Sequence, residues 1–554
     1  MRNMVSNPVE GWARRRERWL LPGGYIAALA LYYLTPWPAL ALLWLALIAA
    51  LTWRSPRVAL ALLPLTFPFW YVPKRVYGHL YFPLSEIMLA VIVAVVAVRV
   101  ARNLTPWPPL PRGEGEIKQR AWRVARAWLA RVGPATVIGG ALLFVGMTLG
   151  VLIARRPHDA LRAWRWEAVE PLLYLALATW YLRGRRWARL TLWALVGSGL
   201  IIAALATAQT LGAHVTFTPV GAGERLIPYL PPAAGPYRAT AIIYGSANSA
   251  GAWLERAAPV ALAIALLGRG LARRERLLAG AATLALLPAL FWTDSRGAWL
   301  GAAAGLGLVA LVWLAPIAVR AWEGYGAADM LTYRVWRWPV LVAGVAALAL
   351  LWTAGSSLWG GALLRIATVG HTDTGAVRLL LWQSALHMIR DHPLLGIGPD
   401  QFLYYYDPAY TSHPYLISHV NGHLTVAVYQ PDLAHPHNLL LDLWLSAGLL
   451  GLIGYIVVVV ALVRRGWRLW WRAEASEASG ADAQPWRRIA AVGVLGALLA
   501  TLTHGMVDSA YFLPDLALAF WWGVATLAAL DCSRHAGRSR PFMAGVRGHL
   551  WPQQ

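Results

Sequence analysis

The chain has 554 residues, of which 58% are hydrophobic and only 14% charged, with a mean hydropathy of +0.50. Soluble domains carry about a quarter charged residues, so this composition excludes an ordinary soluble enzyme. The 49 Lys and Arg residues outnumber the 26 Asp and Glu residues and give a net charge of +23. These basic residues are spread over many loops and form no single patch, which argues against a nucleic-acid partner. The single cysteine, Cys532, excludes a disulfide framework and a cysteine-based metal site.

Apolar stretches bounded by Arg, Pro or Gly recur along the whole chain. A helix needs about 20 residues to cross the hydrocarbon core of a bilayer. The sequence therefore predicts an all-α polytopic membrane protein with about 12–14 transmembrane helices. The third and ninth of the apolar stretches are short enough to be tilted or re-entrant. The predicted spans are 20–35, 38–52, 58–71, 81–98, 134–153, 166–182, 187–211, 248–267, 277–292, 297–315, 339–355, 437–462, 489–506 and 511–530.

The positions of the basic residues predict the orientation of these helices. If the N-terminus is cytoplasmic and the spans alternate, 36 of the 49 Lys and Arg residues fall in cytoplasmic segments and 12 in outer ones. Such an excess on one side is what the positive-inside rule describes. We therefore expect an even number of spans and both termini in the cytoplasm.

The predicted organisation has five parts. They are a cytoplasmic N-terminus (1–19), a transmembrane bundle (20–355), a large extracytoplasmic loop (356–436), a second part of the bundle (437–530) and a cytoplasmic C-terminus (531–554). Within the first bundle, residues 99–131 form a cytoplasmic linker with an Arg- and Trp-rich end that predicts an interfacial amphipathic helix. The loop 356–436 is too long for a simple connector and too aromatic for a disordered one. We expect it to carry function.

Basic residues are scarce on the predicted outer side, so the arginines found there are candidate functional groups. Arg238 lies just before a span, Arg296 lies in the turn Thr293-Asp-Ser-Arg-Gly297, and Arg378 begins an amphipathic helical pattern in the large loop. Converging guanidinium groups form a phosphate or carboxylate clamp, because each offers planar, paired donors. Taken singly, Arg296 is as well explained by an ion pair with Asp294, and Arg378 by the surface of its helix.

Two histidines, in His435-Pro-His437, lie where a short turn enters a strongly apolar helix, with Asn438 next and Asp442 nearby. A histidine at such a boundary can meet water, and its unperturbed pKa near 6.5 suits removal of a proton from a hydroxyl at neutral pH. A helix-capping histidine is the alternative interpretation. The loop histidines have no metal-ligand spacing such as HExxH. No metal and no other cofactor is therefore predicted.

At these residues the sequence resembles the O-antigen ligase / O-antigen polymerase superfamily of polytopic membrane glycosyltransferases. The order of the motifs also matches, as does the large loop before the His-Asn helix, and the characteristic part covers about residues 237–455. The resemblance is carried by Arg238 to Asn248, Ser295-Arg-Gly297, Arg378 to Trp382 with Asp391-His-Pro-Leu-Leu-Gly-Ile-Gly398, and His435-Pro-His-Asn through Gly448-Leu-Leu-Gly451.

The resemblance implies an inverting, metal-independent transfer of a glycan from a polyprenyl (undecaprenyl) diphosphate carrier to a hydroxyl acceptor at the outer face of the membrane. It implies that His437 is the general base, preferred over His435 because it adjoins Asn438, and that Arg296 is a second catalytic residue. Binding of the diphosphate or glycan is assigned to Arg238, Asn248, Arg378 and Asn438.

The motifs leave the acceptor open. A lipid acceptor makes the protein a ligase of the lipopolysaccharide type, a glycan acceptor makes it an O-antigen or exopolysaccharide polymerase, and a protein acceptor makes it an O-oligosaccharyltransferase. A polysaccharide or lipid transporter is the alternative from another class, which would favour inverted repeats and charges deep within spans. No convincing repeat is evident, and apart from Glu255 and Arg256 the notable polar groups lie at the outer rim. This distribution favours surface chemistry.

Overall fold

A computed structural model describes residues 8–77, 80–102, 114–211, 238–323, 374–416, 419–420, 423–424, 435–478 and 485–531. Helices account for most of this structure. They are α1 (Pro8–Leu34), α2 (Pro38–Arg54), α3 (Pro56–Leu62), α4 (Leu84–Ala101), α5 (Glu114–Val132), α6 (Pro134–Ile153), α7 (Pro157–Trp164), α8 (Glu170–Tyr181), α9 (Arg185–Thr210), α10 (Ala247–Leu267), α11 (Arg273–Trp292), α12 (Arg296–Glu323), α13 (Thr374–Asp391), α14 (Phe402–Tyr406), α15 (Leu439–Ala478), α16 (Pro485–Gly505) and α17 (Pro514–Asp531).

Short segments of other types complete the described chain. A 3-10 helix (Leu63–Trp70) follows α3, and a π-helix (Arg165–Val169) joins α7 to α8. Two antiparallel hairpins pair β1 (Lys74–Tyr77) with β2 (Leu80–Phe82) and β3 (His419–Val420) with β4 (His423–Leu424).

The predicted all-α polytopic membrane architecture is confirmed. Eight described helices are long and apolar enough to cross a membrane, and a ninth span arises if α2 and the segment 56–70, bent by 114°, count as one. The segment 56–70 contains all but the last residue of the short predicted span 58–71. Every predicted span coincides with a helix except 339–355, which lies outside the described residues. The number of 12–14 crossings stays a prediction.

Helix α15 is longer than the predicted span 437–462, because a polar extension continues it to Ala478. The extension is tied to the end of α17. Arg465 Nε lies 3.6 Å from Asp531 Oδ2, and Arg472 Nη1 lies 2.6 Å from Asp531 Oδ1. Hydropathy detects only the apolar part of a helix, so an extension held by ion pairs is invisible to it.

A helix, α5, forms at the Arg- and Trp-rich end of the predicted linker, and its interfacial position stays a prediction. Its last turns are attached to α8: Trp128 Nε1 donates to Thr179 Oγ1 at 3.0 Å, and Arg131 Nη1 donates to the Thr179 carbonyl at 3.0 Å. The rest of the predicted linker, residues 103–113, lies outside the described chain.

Helices α6 and α15 pack closely through facing glycines. A Cβ on Gly139 of α6 would lie 2.6 Å from the carbonyl oxygen of Gly454, and a Cβ on Gly454 would lie 2.6 Å from the amide nitrogen of Leu143. Only glycine allows the two backbones to approach to this distance, which is a common way for membrane helices to associate. This contact holds α15, the helix that follows the His-Asn motif, against the rest of the bundle.

A kink in α15 receives the segment that follows α13. Gly448 has φ +65°, so the Leu449 amide turns away from the Leu445 carbonyl and donates instead to the carbonyl of Leu394 at 3.0 Å. The Leu445 carbonyl then accepts the backbone amides of residues 397 and 398 at 2.7 and 3.1 Å. The two glycine-rich motifs of the sequence therefore dock onto each other, and they fix α13 against α15.

This docking leads to a prediction for Gly396, which has φ +69° and whose Cβ would lie 2.5 Å from the carbonyl oxygen of Trp444. Gly396→Ala should lower the thermal unfolding temperature of the detergent-solubilised protein more than Gly270→Ala does. Gly270 also has a positive φ (+90°) but open space around it, so both variants bear the left-handed strain of about 1–2 kcal/mol and only Gly396→Ala adds a clash. Equal losses would contradict the docking.

Candidate functional site

His437 lies in the turn before α15 and has φ +52°. Trp382 of α13 donates through Nε1 to the His437 carbonyl at 3.2 Å, which fixes the turn. The Nδ1 atom of His437 lies 2.8 Å from Oδ1 of Asp508, and the histidine side chain is 31% exposed. A carboxylate at Nδ1 holds the ring proton there and leaves the lone pair on Nε2. One ring nitrogen of His437, Nδ1, is therefore held by Asp508, and the other, Nε2, has the lone pair that can accept a proton.

Asp508, between α16 and α17, is shared by several donors and cations. Its Oδ1 accepts from His437 and from the Ser509 amide, each at 2.8 Å. Its Oδ2 lies 3.7 Å from Arg378 Nη2 and 3.7 Å from His504 Nε2. Burial alone would raise the pKa of this carboxyl, but His437 and His504 lower it well below its usual range. Asp508 therefore stays ionised at neutral pH.

Arg238 is attached to the turn that starts α12. Its Nη2 donates to Asn248 Oδ1 at 2.7 Å and to the Asp294 carbonyl at 3.2 Å, and its Nε donates to the Thr293 carbonyl at 3.2 Å. Asn248 thus orients Arg238. The turn then continues directly into Arg296, so Arg238 is bound to the chain two residues before the second predicted arginine.

Arg296 begins α12, and its side chain is exposed. Within the described part of the chain it has no hydrogen-bond or ion-pair partner, so the ion pair with Asp294 that was the alternative for it is not formed there. An arginine at a bundle end with no internal partner is available to an external anion.

Arg378 completes the group of arginines from the N-terminal part of α13. Burial lowers the pKa of its guanidinium, Asp508 opposes that effect, and Arg238 and Arg296 lower the pKa further. The repulsion means that the guanidinium groups of Arg238 and Arg296 both lie close enough to Arg378 to act on it. The structure therefore brings Arg238, Arg296 and Arg378 to the same end of the bundle as His437. Three cations beside one carboxylate suit an anion with more than one negative charge.

Asn438 caps α15. Its Oδ1 accepts from the amides of Leu440 and Leu441 at 3.1 and 3.2 Å, and its Nδ2 donates to the Met506 carbonyl at 3.0 Å. Its side chain is therefore engaged within the protein, where it joins the turn of His437 to the segment that carries Asp508. The predicted contact of Asn438 with a substrate stays a prediction.

His435 has a carboxylate of its own. Its Nδ1 lies 3.1 Å from Oδ2 of Asp442, and the same Oδ2 accepts from Ser509 Oγ at 3.0 Å. Burial alone would lower the pKa of His435, but Asp442 outweighs it and raises that pKa to about 9. Asp442 thus pairs with His435, although the sequence had suggested only that it lies near His437. At neutral pH His435 is protonated.

Asp508 and His504 were not among the residues predicted from the sequence. Asp508 lies 71 residues after His437, so no local motif joins them. One signal was present: His504-Gly-Met-Val-Asp508 places an imidazole and a carboxylate four residues apart at the end of the span 489–506, at the rim where the arginines had been predicted. No group of three or more His, Cys, Asp and Glu side chains able to hold a metal ion occurs among the residues that the structure describes.

The part of the chain that contains most of these residues is similar to a known protein family. Residues 281–456 match the family model Wzy_C, described as O-Antigen ligase. Residues 281–456 are thus similar to an O-antigen ligase domain, which supports the predicted O-antigen ligase superfamily. A comparison with curated proteins gave no significant match.

The matched range 281–456 does not contain the whole site. It includes Arg296, Arg378 and His437, whereas Arg238 and Asp508 lie outside the matched range. These two residues reach the site through the segment before α10 and the segment before α17. The site is therefore built partly by residues outside the range that is similar to O-antigen ligase.

Proposed function

We propose that the protein transfers a glycan from a polyprenyl-diphosphate carrier, of the undecaprenyl type, to a hydroxyl group of an acceptor. One observation carries the proposal: the Asp508 carboxylate lies 2.8 Å from His437 Nδ1 and 3.7 Å from Arg378 Nη2. A potential base and a cationic cluster thus share one carboxylate. Glycan transfer from a diphosphate needs both, because a hydroxyl must lose a proton while a diphosphate gains charge.

In the proposed reaction, His437 Nε2 accepts the proton of the acceptor hydroxyl as that oxygen attacks the anomeric carbon. The bond between the anomeric carbon and the diphosphate oxygen breaks, and its electron pair leaves with the diphosphate. Asp508 stabilises the imidazolium that forms at His437. Attack from the side opposite the leaving group inverts the anomeric configuration.

His437 is preferred over His435 as the base. A pKa of about 9 keeps His435 protonated at neutral pH, so it has no lone pair to offer. His435 is also the less accessible ring, with its side chain 16% exposed against 31% for His437. We assign His435 to the support of the turn through Asp442.

The arginines serve the leaving group. We propose that Arg296, which has no partner in the described chain, contacts the diphosphate directly, and that Arg238 and Arg378 complete the clamp. Fixed positive charges aimed at developing negative charge stabilise a transition state more than a ground state. Asn248 contributes by orienting Arg238, and Asn438 by holding the turn of His437.

The distribution of basic residues supports an extracytoplasmic site with both termini in the cytoplasm, and the similarity to O-antigen ligase supports a bacterial inner membrane. A lipid diphosphate brings its own leaving group to that face. A lipid, a second glycan and a protein are the three acceptor classes, and they correspond to a ligase, a polymerase and an O-oligosaccharyltransferase.

We predict that His437→Ala lowers glycan transfer by about 100-fold or more, the usual contribution of general base catalysis, while the protein accumulates in the membrane. Transfer is measured in proteoliposomes with a polyprenyl-diphosphate glycan and, in parallel, a lipid, a glycan and a protein acceptor. His387→Ala, on the exposed side of α13, serves as the control. Transfer by His437→Ala at the wild-type rate would contradict the assignment of His437 as the base. If the wild-type protein transferred glycan to none of the three acceptors, the proposed function would be contradicted.

Arg296→Ala should weaken use of the donor about 10- to 100-fold, because it removes a charge-assisted contact to the diphosphate. Arg296→Lys should restore the activity only partly, since an ammonium lacks the paired donors of a guanidinium. Initial rates at varied donor concentration provide the measurement. Arg390→Ala is the matched control, because Arg390 lies at the other end of α13 with its side chain 79% exposed. Unchanged donor affinity and rate in Arg296→Ala would exclude the clamp.

A further inference from the structure

A row of buried ionisable side chains lies behind Asp508. Glu255 of α10 is 0% exposed and His504, in the last turn of α16, is 2% exposed. His504 Nδ1 lies 3.1 Å from Glu255 Oε2, and His504 Nε2 lies 3.7 Å from Asp508 Oδ2. Glu255, His504, Asp508 and His437 therefore form one continuous row from the interior of the bundle to the accessible imidazole.

The row is unlike ordinary packing between membrane helices, because ionisable groups are costly to bury without partners. Glu255 has Arg256 as a second neighbour, with Oε1 3.5 Å from Arg256 Nη1. That guanidinium is engaged elsewhere as well: Nη2 donates to the Ala510 carbonyl at 2.8 Å, and Nη1 donates to the Ala252 carbonyl. His504 is thus the side chain that connects Glu255 to the site.

Helix α12 has glycine at the two positions where it faces this row. A Cβ on Gly297 would lie 2.8 Å from His504 Nε2, and a Cβ on Gly301 would lie 3.0 Å from Glu255 Cδ. Because Gly297 follows Arg296 directly, the motif Ser295-Arg-Gly297 serves two needs. Its arginine faces the anion site, and its glycine leaves space for the imidazole of His504.

The contacts of Asp508 indicate what this row does. Oδ1 is held by His437 and by a backbone amide, whereas Oδ2 lies at the same 3.7 Å from Arg378 and from His504. If Arg378 turns toward a bound diphosphate, His504 is the neighbour of Oδ2 that stays in place, because Glu255 anchors it from behind.

We propose that His504, anchored by Glu255, is a positioning residue for the transfer reaction. It holds the Asp508 carboxylate in the orientation that keeps the ring proton of His437 on Nδ1 and the lone pair on Nε2. This inference rests on the proposed function. It adds to that function two residues, His504 and Glu255, that touch no substrate and act only through Asp508.

The test compares His504→Gln in two backgrounds, the wild type and Asp508→Asn. In the wild type it should lower kcat about 10- to 100-fold, the usual effect of losing a group that orients a functional side chain, with the donor KM unchanged. In Asp508→Asn it should have no further effect, because residues acting through one another are not additive. Wild-type kcat in His504→Gln, or an equal loss in both backgrounds, would overturn the inference.

A second variant covers the case in which His504→Gln does not accumulate. Gly297→Ala crowds His504 with a single methyl group, and Gly307→Ala, in the same helix with nothing within 4 Å of its Cβ, is the control. Gly297→Ala should lower kcat relative to Gly307→Ala, and equal rates would overturn the inference. The outcome for His437→Ala separates the two proposals: an inactive His437→Ala with a fully active His504→Gln removes only the positioning role.

Discussion

The site depends on keeping one partly buried carboxylate ionised. Asp508 has its side chain only 13% exposed, and a carboxylate in such a place needs opposite charges close by. The fold supplies partners from three directions: the ring N–H of His437 from the turn before α15, the guanidinium of Arg378 from α13 and the imidazole of His504 from α16. The Asp508 carboxylate therefore lies next to all three parts of the site, which are the accessible imidazole of His437, the arginine cluster and the buried imidazole of His504.

Such a site requires that the loop segment containing α13 be fixed against the bundle. The kink at Gly448 meets this requirement, because it opens backbone groups of α15 that bind the segment after α13. The glycine contact between α6 and α15 fixes α15 in turn. For the proposed reaction, these contacts let Arg378 and His437 meet a diphosphate at the end of the bundle while its polyprenyl chain lies in the membrane.

The sequence predicted the helices well, because hydropathy over about 20 residues depends on the membrane and not on the neighbours in the fold. It also indicated Arg238, Arg296 and Arg378, since basic residues are scarce at that rim. The sequence did not predict Asp508, because a contact between residues 71 positions apart leaves no local pattern. The sequence favoured His437 over His435 only because it adjoins Asn438, and the proposal of His437 now also rests on the different carboxylate and the different burial of each ring.

The most direct test of a combined base and diphosphate site is a structure of the protein bound to a non-hydrolysable polyprenyl-diphosphate glycan analogue, determined by electron cryo-microscopy in lipid nanodiscs. We predict the diphosphate within hydrogen-bond distance of Arg296 and Arg378, with the anomeric carbon on the side of His437 Nε2 and Asp508 still bound to Nδ1. A diphosphate bound at the other end of the bundle, or away from the three arginines, would contradict the account.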